Sequence, residues 1–390
     1  MAASDGATRR HPPTIRRGLI PPLEGFTINS TLNRPTSTAP APWFIAGPTA
    51  VGKSAVALEL AERIGGEVIS VDSMQVYRGL DIGTAKPTPD ERRRAPHHLI
   101  DVAEVTSGFD AAQFVRLAAA AVAEIRGRGR TPIFCGGTGL YFQAYFEGLG
   151  AAPPMDAALR AELEAAPAPQ LWAELEAADP DCFKQIDLHN RRRVVRALEV
   201  IRLTGRPFSA QRASWSPGSP PAPAAGTGEP GERCDPGEPG SAPMLEAEAA
   251  HGAPVAREVE TAGLAADETR LAFCLTRARD DLHARIARRV EEMFARGLTD
   301  ETARLLAAGL AGNRTALQAI GYRQVAEHLR GEHSLAETIE LVKSRTRQFA
   351  KRQLTWFLRR GDWTWLELGA HEPAGATVDR LLTGRARAER

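Results

Sequence analysis

Residues 47–54 combine the residue types that bind a polyphosphate. Their sequence is Gly-Pro-Thr-Ala-Val-Gly-Lys-Ser. The glycines permit a tight loop, the lysine supplies a positive charge, and the serine hydroxyl can hold a Mg²⁺ that bridges phosphate oxygens. The backbone N–H groups of such a loop converge with the positive end of the following helix dipole. We therefore expect phosphate binding by Gly47, Pro48, Thr49, Ala50, Val51, Gly52, Lys53 and Ser54, with Ser54 as the metal ligand.

The residues on either side of this phosphate loop favour the strand–loop–helix context that the motif requires. An apolar run, residues 43–46, precedes it, and a run of alanine, valine and leucine, residues 55–61, follows it. A chance glycine turn would lack both neighbours. The motif does not identify the phosphate compound, nor does it show that a phosphoryl group is transferred.

The first half of the chain has the alternation of a parallel α/β sheet. Apolar runs at 44–46, 68–71 and 132–135 alternate with helical patterns at 54–64, 110–126 and 139–147, which predicts strands joined by crossover helices. Ligands of open α/β sheets collect beyond the carboxyl ends of the strands. Asp72-Ser73 and Gly136-Gly137-Thr138 should therefore line one crevice together with the phosphate loop.

Composition changes divide the rest of the chain. The predicted fold class is α/β: a P-loop-containing parallel sheet flanked by helices, with an inserted helical domain and carboxy-terminal helices. Segments rich in proline and glycine cannot bury enough apolar surface to order themselves. The predicted parts are a disordered leader (1–41), the first part of the core (42–150), a helical insertion (151–215), a disordered insert (216–267), the second part of the core (268–360) and a tail (361–390).

Overall charge and cysteine usage exclude several function classes. Lys and Arg number 49 against 48 Asp and Glu, so a nucleic-acid surface must be a local patch. The four cysteines form no Cys-x-x-Cys pair, which argues against zinc and against a disulfide framework. No apolar run is long enough to span a bilayer. The arginines of the leader lie in no amphipathic stretch, so we expect no transit peptide and a cytoplasmic protein that binds no membrane. We also expect a monomer.

The predicted helix at 190–204 concentrates positive charge. Arg192, Arg193 and Arg196 are spaced to share one side of it. The spacing fits contacts to a nucleic-acid backbone and fits a solvated helix face equally well.

Asp72, which ends the predicted second strand, has three possible roles. It could hold Mg²⁺ through water as in P-loop ATPases, act as a general base aimed into the crevice, or cap a helix that begins at Met74.

The segment Asp72–Pro87 resembles one family closely, the bacterial tRNA dimethylallyltransferases (tRNA isopentenyltransferases). The resemblance spans about residues 43 to 360, and the leader and the 216–267 insert depart from the family pattern. The zinc finger of eukaryotic members has no counterpart. Further matching motifs are Ala95–Asp101, Gly136–Tyr141, Arg196–Val200, Gly321–Gln324 and Lys351–Phe357.

This resemblance implies transfer of the dimethylallyl group from dimethylallyl diphosphate to the N6 amine of the adenosine just 3′ of the anticodon. Diphosphate is then the leaving group, and the phosphate loop with Mg²⁺ neutralises its charge. By position in the family's motif, Arg279 is the candidate for an additional cation; a surface residue at a helix start is the alternative.

The resemblance also assigns the tRNA side of the reaction. Asp72 becomes the base that accepts the N6 proton, and Thr138 hydrogen-bonds near the reacting end, although a helix N-cap would also explain Thr138. The target base must leave the anticodon loop and enter a channel in the protein. The implied tRNA contacts are Asp72, Ser73, Met74, Gln75, Thr138, Arg160, Arg192, Arg193, Val194, Val195, Arg196, Tyr322 and Arg323.

Two other functions fit part of the pattern. A small-molecule kinase of the nucleoside-monophosphate type would use the same loop with a helical lid, but it gives no role to residues 72–87 and 136–141. A nucleotide-switched tRNA-binding module without catalysis would make Asp72 incidental. ATP turnover without prenyl transfer would favour either over the transferase.

Overall fold

The computed structural model describes residues 40–148, 153, 155–213, 271–360 and 363–388. All described residues belong to one compact unit. The predicted leader, apart from its last two residues, and the whole predicted insert at 216–267 lie outside the described residues.

Six parallel strands form one sheet in the order β3-β2-β4-β1-β5-β6, which confirms the predicted fold class. Ala46 is aligned with Gly136 of one neighbouring strand and with Cys274 of the other. The carboxyl ends of the central strands therefore meet at one edge. The strands are β1 (Trp43–Ala46), β2 (Gly66–Val71), β3 (His97–His98), β4 (Thr131–Gly136), β5 (Leu271–Arg277) and β6 (Thr364–Leu368).

The central strands are apolar throughout because helices cover both faces of the sheet. Trp43 and Ile45 point into one core and Phe44 and Ala46 into the other, as the two-residue period of a strand requires. The helices around the sheet are α1 (Lys53–Ile64), α2 (Pro89–Arg94), α3 (Ala111–Gly127), α4 (Gly139–Glu147), α10 (Arg279–Ala295), α11 (Leu298–Ala307), α12 (Tyr322–Leu329), α13 (Leu335–Leu358) and α14 (Ala374–Ala388).

A helical insertion follows α4 and has a small core of its own. Leu163, Leu171, Leu175 and Leu198 are buried against one another there, away from the cores beneath the sheet. The insertion thus has a satellite core, separate from the clusters that pack on the sheet. Its helices are α5 (Ala157–Ala165), α6 (Ala168–Ala178), α7 (Pro180–Gln185), α8 (Arg191–Thr204) and α9 (Phe208–Ala213).

The end of the chain is part of the core, where the sequence predicted a tail at 361–390. The strand β6 pairs with β5, and α14 packs on α1 with an ion pair between Asp379 and Arg63. Val378 and Leu381 of α14 are buried in the core cluster that includes the apolar face of α1. The prediction failed because a five-residue strand and a helix rich in arginine and alanine give a weak apolar pattern.

Candidate active site

The phosphate loop contains two backbone conformations that only glycine adopts with ease. Gly47 has a φ of 144° and Gly52 a φ of 110°, and a Cβ at Gly47 would lie 2.5 Å from the Leu275 carbonyl oxygen. The turn ends where α1 begins at Lys53. The unpaired N–H groups of the first helical turn therefore lie beside the loop, as an anion site requires.

The side chain of Lys53 folds back onto the start of the phosphate loop. Its Nζ donates a hydrogen bond to the Pro48 carbonyl oxygen at 2.7 Å. Burial, with a smaller contribution from the positive charge of Arg289, lowers the pKa of Lys53 to about 8. The ammonium group is thus costly to keep charged without an anion, and a bound diphosphate would stabilise its charged form.

Helix α10 supplies a wall of arginines to the same cleft. Arg285, Arg288 and Arg289 line it, and the Arg285 Nε donates to the Ala50 carbonyl oxygen at 2.9 Å. Burial lowers the pKa of Arg289, while the negative charge of Asp72 raises it. These guanidinium groups place positive charge where a diphosphate would develop negative charge.

The predicted cation Arg279 does not join this wall. It is exposed at the first position of α10 and is not among the residues that line the cleft. Arg285 lies six positions further along the helix, which turns the two side chains about 120° apart. The position of Arg279 therefore does not support the role that the resemblance gave it.

Asp72 lies directly after β2 and faces the phosphate loop across the cleft. Its Oδ1 accepts hydrogen bonds from the backbone N–H of Met74 at 2.8 Å and of Gln75 at 3.2 Å. No helix begins at Met74, so Asp72 closes a turn and does not cap a helix. Within the described part of the chain, no hydrogen bond reaches its second oxygen, Oδ2.

Thr138 connects the ends of two strands. Its Oγ1 accepts a hydrogen bond from the Ser73 backbone N–H at 3.1 Å, and its own N–H donates to the Val71 carbonyl oxygen at 3.2 Å. Thr138 stands at the N-cap position of α4 without capping it through its side chain. It thereby fixes the turn that carries Asp72, although Gly136 and Gly137, not Thr138 itself, line the cleft.

Gln353 of α13 joins the phosphate loop to this turn region. Its Oε1 accepts from the Thr49 backbone N–H at 2.8 Å, and its Nε2 donates to the Gly137 carbonyl oxygen at 2.9 Å. Sequence reasoning missed this bridge, which joins residues 304 positions apart. The available signal was the family-like motif Lys351–Phe357 that contains it.

The cleft enclosed by these segments has a volume of about 380 Å³, within the size range of small-molecule sites. It brings together the phosphate loop, Asp72 and the Gly136-Gly137 turn, as the sheet rule predicted. Its lining also includes Ser54, Gln75, Ile82, Thr84, Ala85, His97, Cys135, Arg296 and Phe349.

Gln75 fixes one wall of the cleft. Its Oε1 accepts from the Ser70 hydroxyl at 2.9 Å, and its Nε2 donates to the Thr84 carbonyl oxygen at 3.1 Å. The predicted tRNA contacts Ser73 and Met74 lie half-buried in the same turn. This turn is therefore held by its own hydrogen bonds before any substrate arrives.

The predicted tRNA contact Tyr322 is buried in the protein. Its hydroxyl donates to Glu301 Oε1 at 2.6 Å and accepts from the Gly83 N–H at 3.0 Å. Burial raises the pKa of Tyr322, and the Glu301 carboxylate raises it further. Tyr322 therefore supports the cleft-lining loop from behind, whereas Arg323 is exposed and pairs with Glu327 at 2.9 Å.

The side chains of Val194 and Val195 are also unavailable for the predicted tRNA contact. Both are buried in the core of the insertion, on the apolar face that recurs every three to four residues along an amphipathic helix. Arg192 and Arg193 of the same helix are exposed.

A buried carboxylate organises the two remaining arginines of the insertion. Glu199 is fully buried, and its Oε2 accepts from the Arg160 Nη2 at 2.5 Å and from the Arg196 Nη1 at 2.7 Å. Both arginines are partly exposed. Sequence reasoning identified both arginines and missed the acid that sets their orientation.

The residues of the cleft fit a Mg²⁺ ion that is bound together with a phosphate compound. Ser54 is exposed at the start of α1, and Asp72 and Glu292 are carboxylates in the same lining. Mg²⁺ sites of this kind use one or two protein ligands, with phosphate oxygens and waters completing the shell. The described residues contain no cluster of three or more histidine, cysteine, aspartate or glutamate side chains that could hold a metal ion.

None of the helices in the described ranges combines the length and apolar character needed to cross a bilayer.

Comparison with known proteins finds one matching family model and many similar enzymes. The model of the IPP transferase family matches residues 75–227 and 244–361. The tRNA dimethylallyltransferase of Geobacter metallireducens is 41% identical over 83% of this chain and 91% of its own. The tRNA dimethylallyltransferase 1 of Trichlorobacter lovleyi is 42% identical over 86% of this chain and 95% of its own.

Two solved structures are similar to this fold. The full-length tRNA isopentenylpyrophosphate transferase of Bacillus halodurans has a TM-score of 0.54 and 34% identity, covering 90% of this chain and 99% of its own. A eukaryotic dimethylallyltransferase acting on tRNA has a TM-score of 0.64 and 25% identity, covering 89% of this chain and 77% of its own. The chain therefore belongs to the IPP transferase family, the tRNA dimethylallyltransferases that its motifs resemble.

Proposed function

We propose that this protein transfers the dimethylallyl group of dimethylallyl diphosphate to the N6 amine of the adenosine 3′ to the anticodon of tRNA. Membership of the family supports prenyl transfer to tRNA. The observation that carries the proposal is the cleft in which Asp72 faces the phosphate loop. An anion site and a potential base thus border one cleft where a donor and an amine can meet.

The phosphate loop binds the diphosphate half of the donor. Negative charge grows on the departing diphosphate as the C–O bond breaks, and fixed positive groups stabilise it most in that state. Lys53, Arg285 and Arg289 supply this charge. We assign the additional cation to these two arginines and not to Arg279, because they line the cleft and Arg279 does not.

A Mg²⁺ ion held by the Ser54 hydroxyl, with Asp72 or Glu292 reached through water, would add Lewis-acid stabilisation of the diphosphate when bound. The protein's own residues orient the donor whether or not the metal ion is bound.

Asp72 acts on the amine. The N6 nitrogen attacks the allylic carbon, the C–O bond breaks with its electron pair on diphosphate, and one N6 proton passes to the carboxylate. The two N–H groups that hold Oδ1 keep the carboxyl group in place, and Oδ2 remains to accept the proton. Thr138 positions this carboxylate through its bond to Ser73.

The tRNA approaches from the side of the helical insertion. Arg192 and Arg193 are exposed, and Arg160 and Arg196 present partly exposed guanidinium groups that suit phosphate oxygens. The adenine must leave the stacked anticodon loop to reach the cleft. The turn of Ser73, Met74 and Gln75 then lies next to the extruded base.

We also propose that the protein acts as a monomer, because one chain contributes the loop, the base and the arginines of the cleft. Light scattering of the active protein across a concentration series tests this, and activity confined to a dimer would contradict it.

The function is tested by incubating the protein with a tRNA anticodon stem-loop and radiolabelled dimethylallyl diphosphate in the absence of ATP. Label should enter the RNA, and should fail to enter a matched stem-loop with guanosine at the target position. Turnover of ATP without label in the RNA would contradict the proposal and favour a kinase or a nucleotide-switched binding module.

A further inference from the structure

A buried arginine at the end of β5, Arg277, supports the phosphate loop without lining the cleft. The side chain of Arg277 is 5% exposed. Its Nε donates to the Val51 carbonyl oxygen at 2.7 Å, and its Nη1 donates to the Gly369 carbonyl oxygen at 2.5 Å and to Asp281 at 3.1 Å. One guanidinium thus joins the loop, the start of α10 and the segment after β6.

The bond to Val51 determines the direction of the next N–H group. The peptide between Val51 and Gly52 is planar and trans, so its C=O and N–H point in opposite directions. Fixing the carbonyl oxygen on Arg277 turns the Gly52 N–H the other way, and Gly52 is one of the residues that line the cleft. A glycine allows this peptide to rotate easily, which makes an external restraint important.

A second arginine acts in the same way one residue earlier. Arg285 donates to the Ala50 carbonyl oxygen, but unlike Arg277 it also lines the cleft. Arg277 does not line the cleft, so a direct electrostatic contact with the donor cannot be its role. Its planar fork bonds two backbone carbonyl groups in different directions, which a lysine ammonium on a single stem does less well.

The other end of this restraint lies outside the part of the chain that the family model matches. That match ends at residue 361, whereas Gly369 follows β6. The carboxy-terminal segment is thus linked to the phosphate loop by Arg277. It also packs through α14 on α1, the helix that begins within the loop.

We propose that Arg277 is a positioning residue for the donor diphosphate, which orients the Gly52 N–H and couples the phosphate loop to residues 369–370. This inference rests on the proposed function, because it assumes that the loop binds the diphosphate of a prenyl donor. Arg277 does not touch the donor; it acts through the Val51–Gly52 peptide.

The first test compares Arg277→Met and Arg277→Lys with a matched control, Arg380→Met. Arg380 also donates to a backbone carbonyl of β6, that of Glu367, but it has no hydrogen bond to the phosphate loop. Binding of inorganic diphosphate with Mg²⁺ is measured by calorimetry, together with steady-state kinetics and thermal unfolding.

We expect Arg277→Met to weaken diphosphate binding about tenfold or more and to raise the KM for the donor, with the KM for tRNA unchanged. Arg277→Lys should recover part of the affinity, and Arg380→Met should bind as the wild type does. A lower unfolding temperature with unchanged diphosphate affinity would overturn the inference and make Arg277 purely structural.

The second test needs no substitution, so it stands even if Arg277→Met fails to fold. Hydrogen exchange of the wild-type protein is followed by mass spectrometry with and without inorganic diphosphate. We expect slower exchange in residues 48–54 and also in residues 369–372; protection confined to residues 48–54 would overturn the coupling.

The two tests separate this inference from the proposed function. A wild-type protein that neither binds diphosphate nor labels tRNA would overturn both. A wild-type protein that binds diphosphate and labels tRNA, with Arg277 variants that bind diphosphate equally well, would overturn only the role of Arg277.

Discussion

The donor cleft and the helical insertion both use arginine, but they hold it differently. In the cleft, Arg285 is bonded to a carbonyl oxygen of the phosphate loop, the backbone that we propose binds the donor. In the insertion, Arg192 and Arg193 extend from an exposed helix face, and Arg160 and Arg196 share one buried glutamate. The first arrangement fixes positive charge against the phosphate loop, whereas the second distributes it over the surface of a separate helical unit, on two exposed and two partly exposed side chains.

This difference follows from what each region must stabilise. A breaking C–O bond develops charge at a defined position, so groups fixed before the reaction stabilise it best. An RNA backbone offers many equivalent phosphates, and exposed side chains can contact them with little loss of geometry. Substitutions in the cleft should therefore reduce catalysis, and substitutions in the insertion should reduce salt-dependent affinity.

The largest effect should come from Asp72→Ala. Transfer should fall about 10³-fold or more, because the amine loses the group that accepts its proton. Affinity for tRNA should change little, since Asp72 contributes one contact among many. Single-turnover labelling and filter binding measure the two quantities, and transfer near the wild-type rate would exclude Asp72 as the base.

Lys53→Met should weaken donor binding about tenfold to a hundredfold through loss of a charge-assisted hydrogen bond. The wild-type Lys53 has a pKa of about 8 in the free protein, so its charge disappears as the pH rises through that value. Affinity for the donor should therefore decline above about pH 8 in the wild type.

The control for this pH dependence is Lys53→Met itself, titrated over the same range. Any ionisation of the donor affects both proteins equally, so the ratio of their affinities isolates Lys53. A ratio that does not change between pH 7 and pH 9.5 would contradict the assignment.

Tyr322→Phe distinguishes support of the cleft from contact with tRNA. Removing the hydroxyl leaves the buried Glu301 and the Gly83 N–H without that partner, which should lower the free energy of unfolding by about 1–3 kcal/mol. Affinity for tRNA should remain within about twofold, since Tyr322 is buried. Urea unfolding and filter binding test this, and weaker tRNA binding at unchanged stability would restore Tyr322 as a contact.

The smallest effect should come from single arginines of the insertion. Arg193→Ala should reduce the slope of log affinity against log salt by about one, as expected for one lost phosphate contact. Arg196→Ala should reduce it by less, because Glu199 already balances part of its charge. Equal slopes for the wild type and Arg193→Ala would make this helix face a solvated surface.

The sequence predicted what is encoded locally or by the direction of parallel strands. The phosphate loop is one contiguous motif, and Asp72 follows the end of a strand that the sheet rule directs towards it. The helices predicted at 54–64, 110–126 and 139–147 also agree with α1, α3 and α4 to within one residue, because their apolar periodicity is strong.

The missed features depend on contacts between distant parts of the chain. Gln353 acts on Thr49, and Arg277 joins Val51 to Gly369, pairs that no local pattern relates. Proposing Arg285 instead of Arg279 as the additional cation would have required knowing which face of α10 meets the cleft.

A crystal structure with an anticodon stem-loop and an unreactive dimethylallyl diphosphate analogue tests the central claim most directly. The account predicts diphosphate oxygens bonded to the N–H groups of residues 50–54, and the adenine N6 within about 3 Å of the Asp72 carboxylate. Diphosphate bound away from the phosphate loop, or an adenine N6 turned away from Asp72 in a reactive complex, would contradict it.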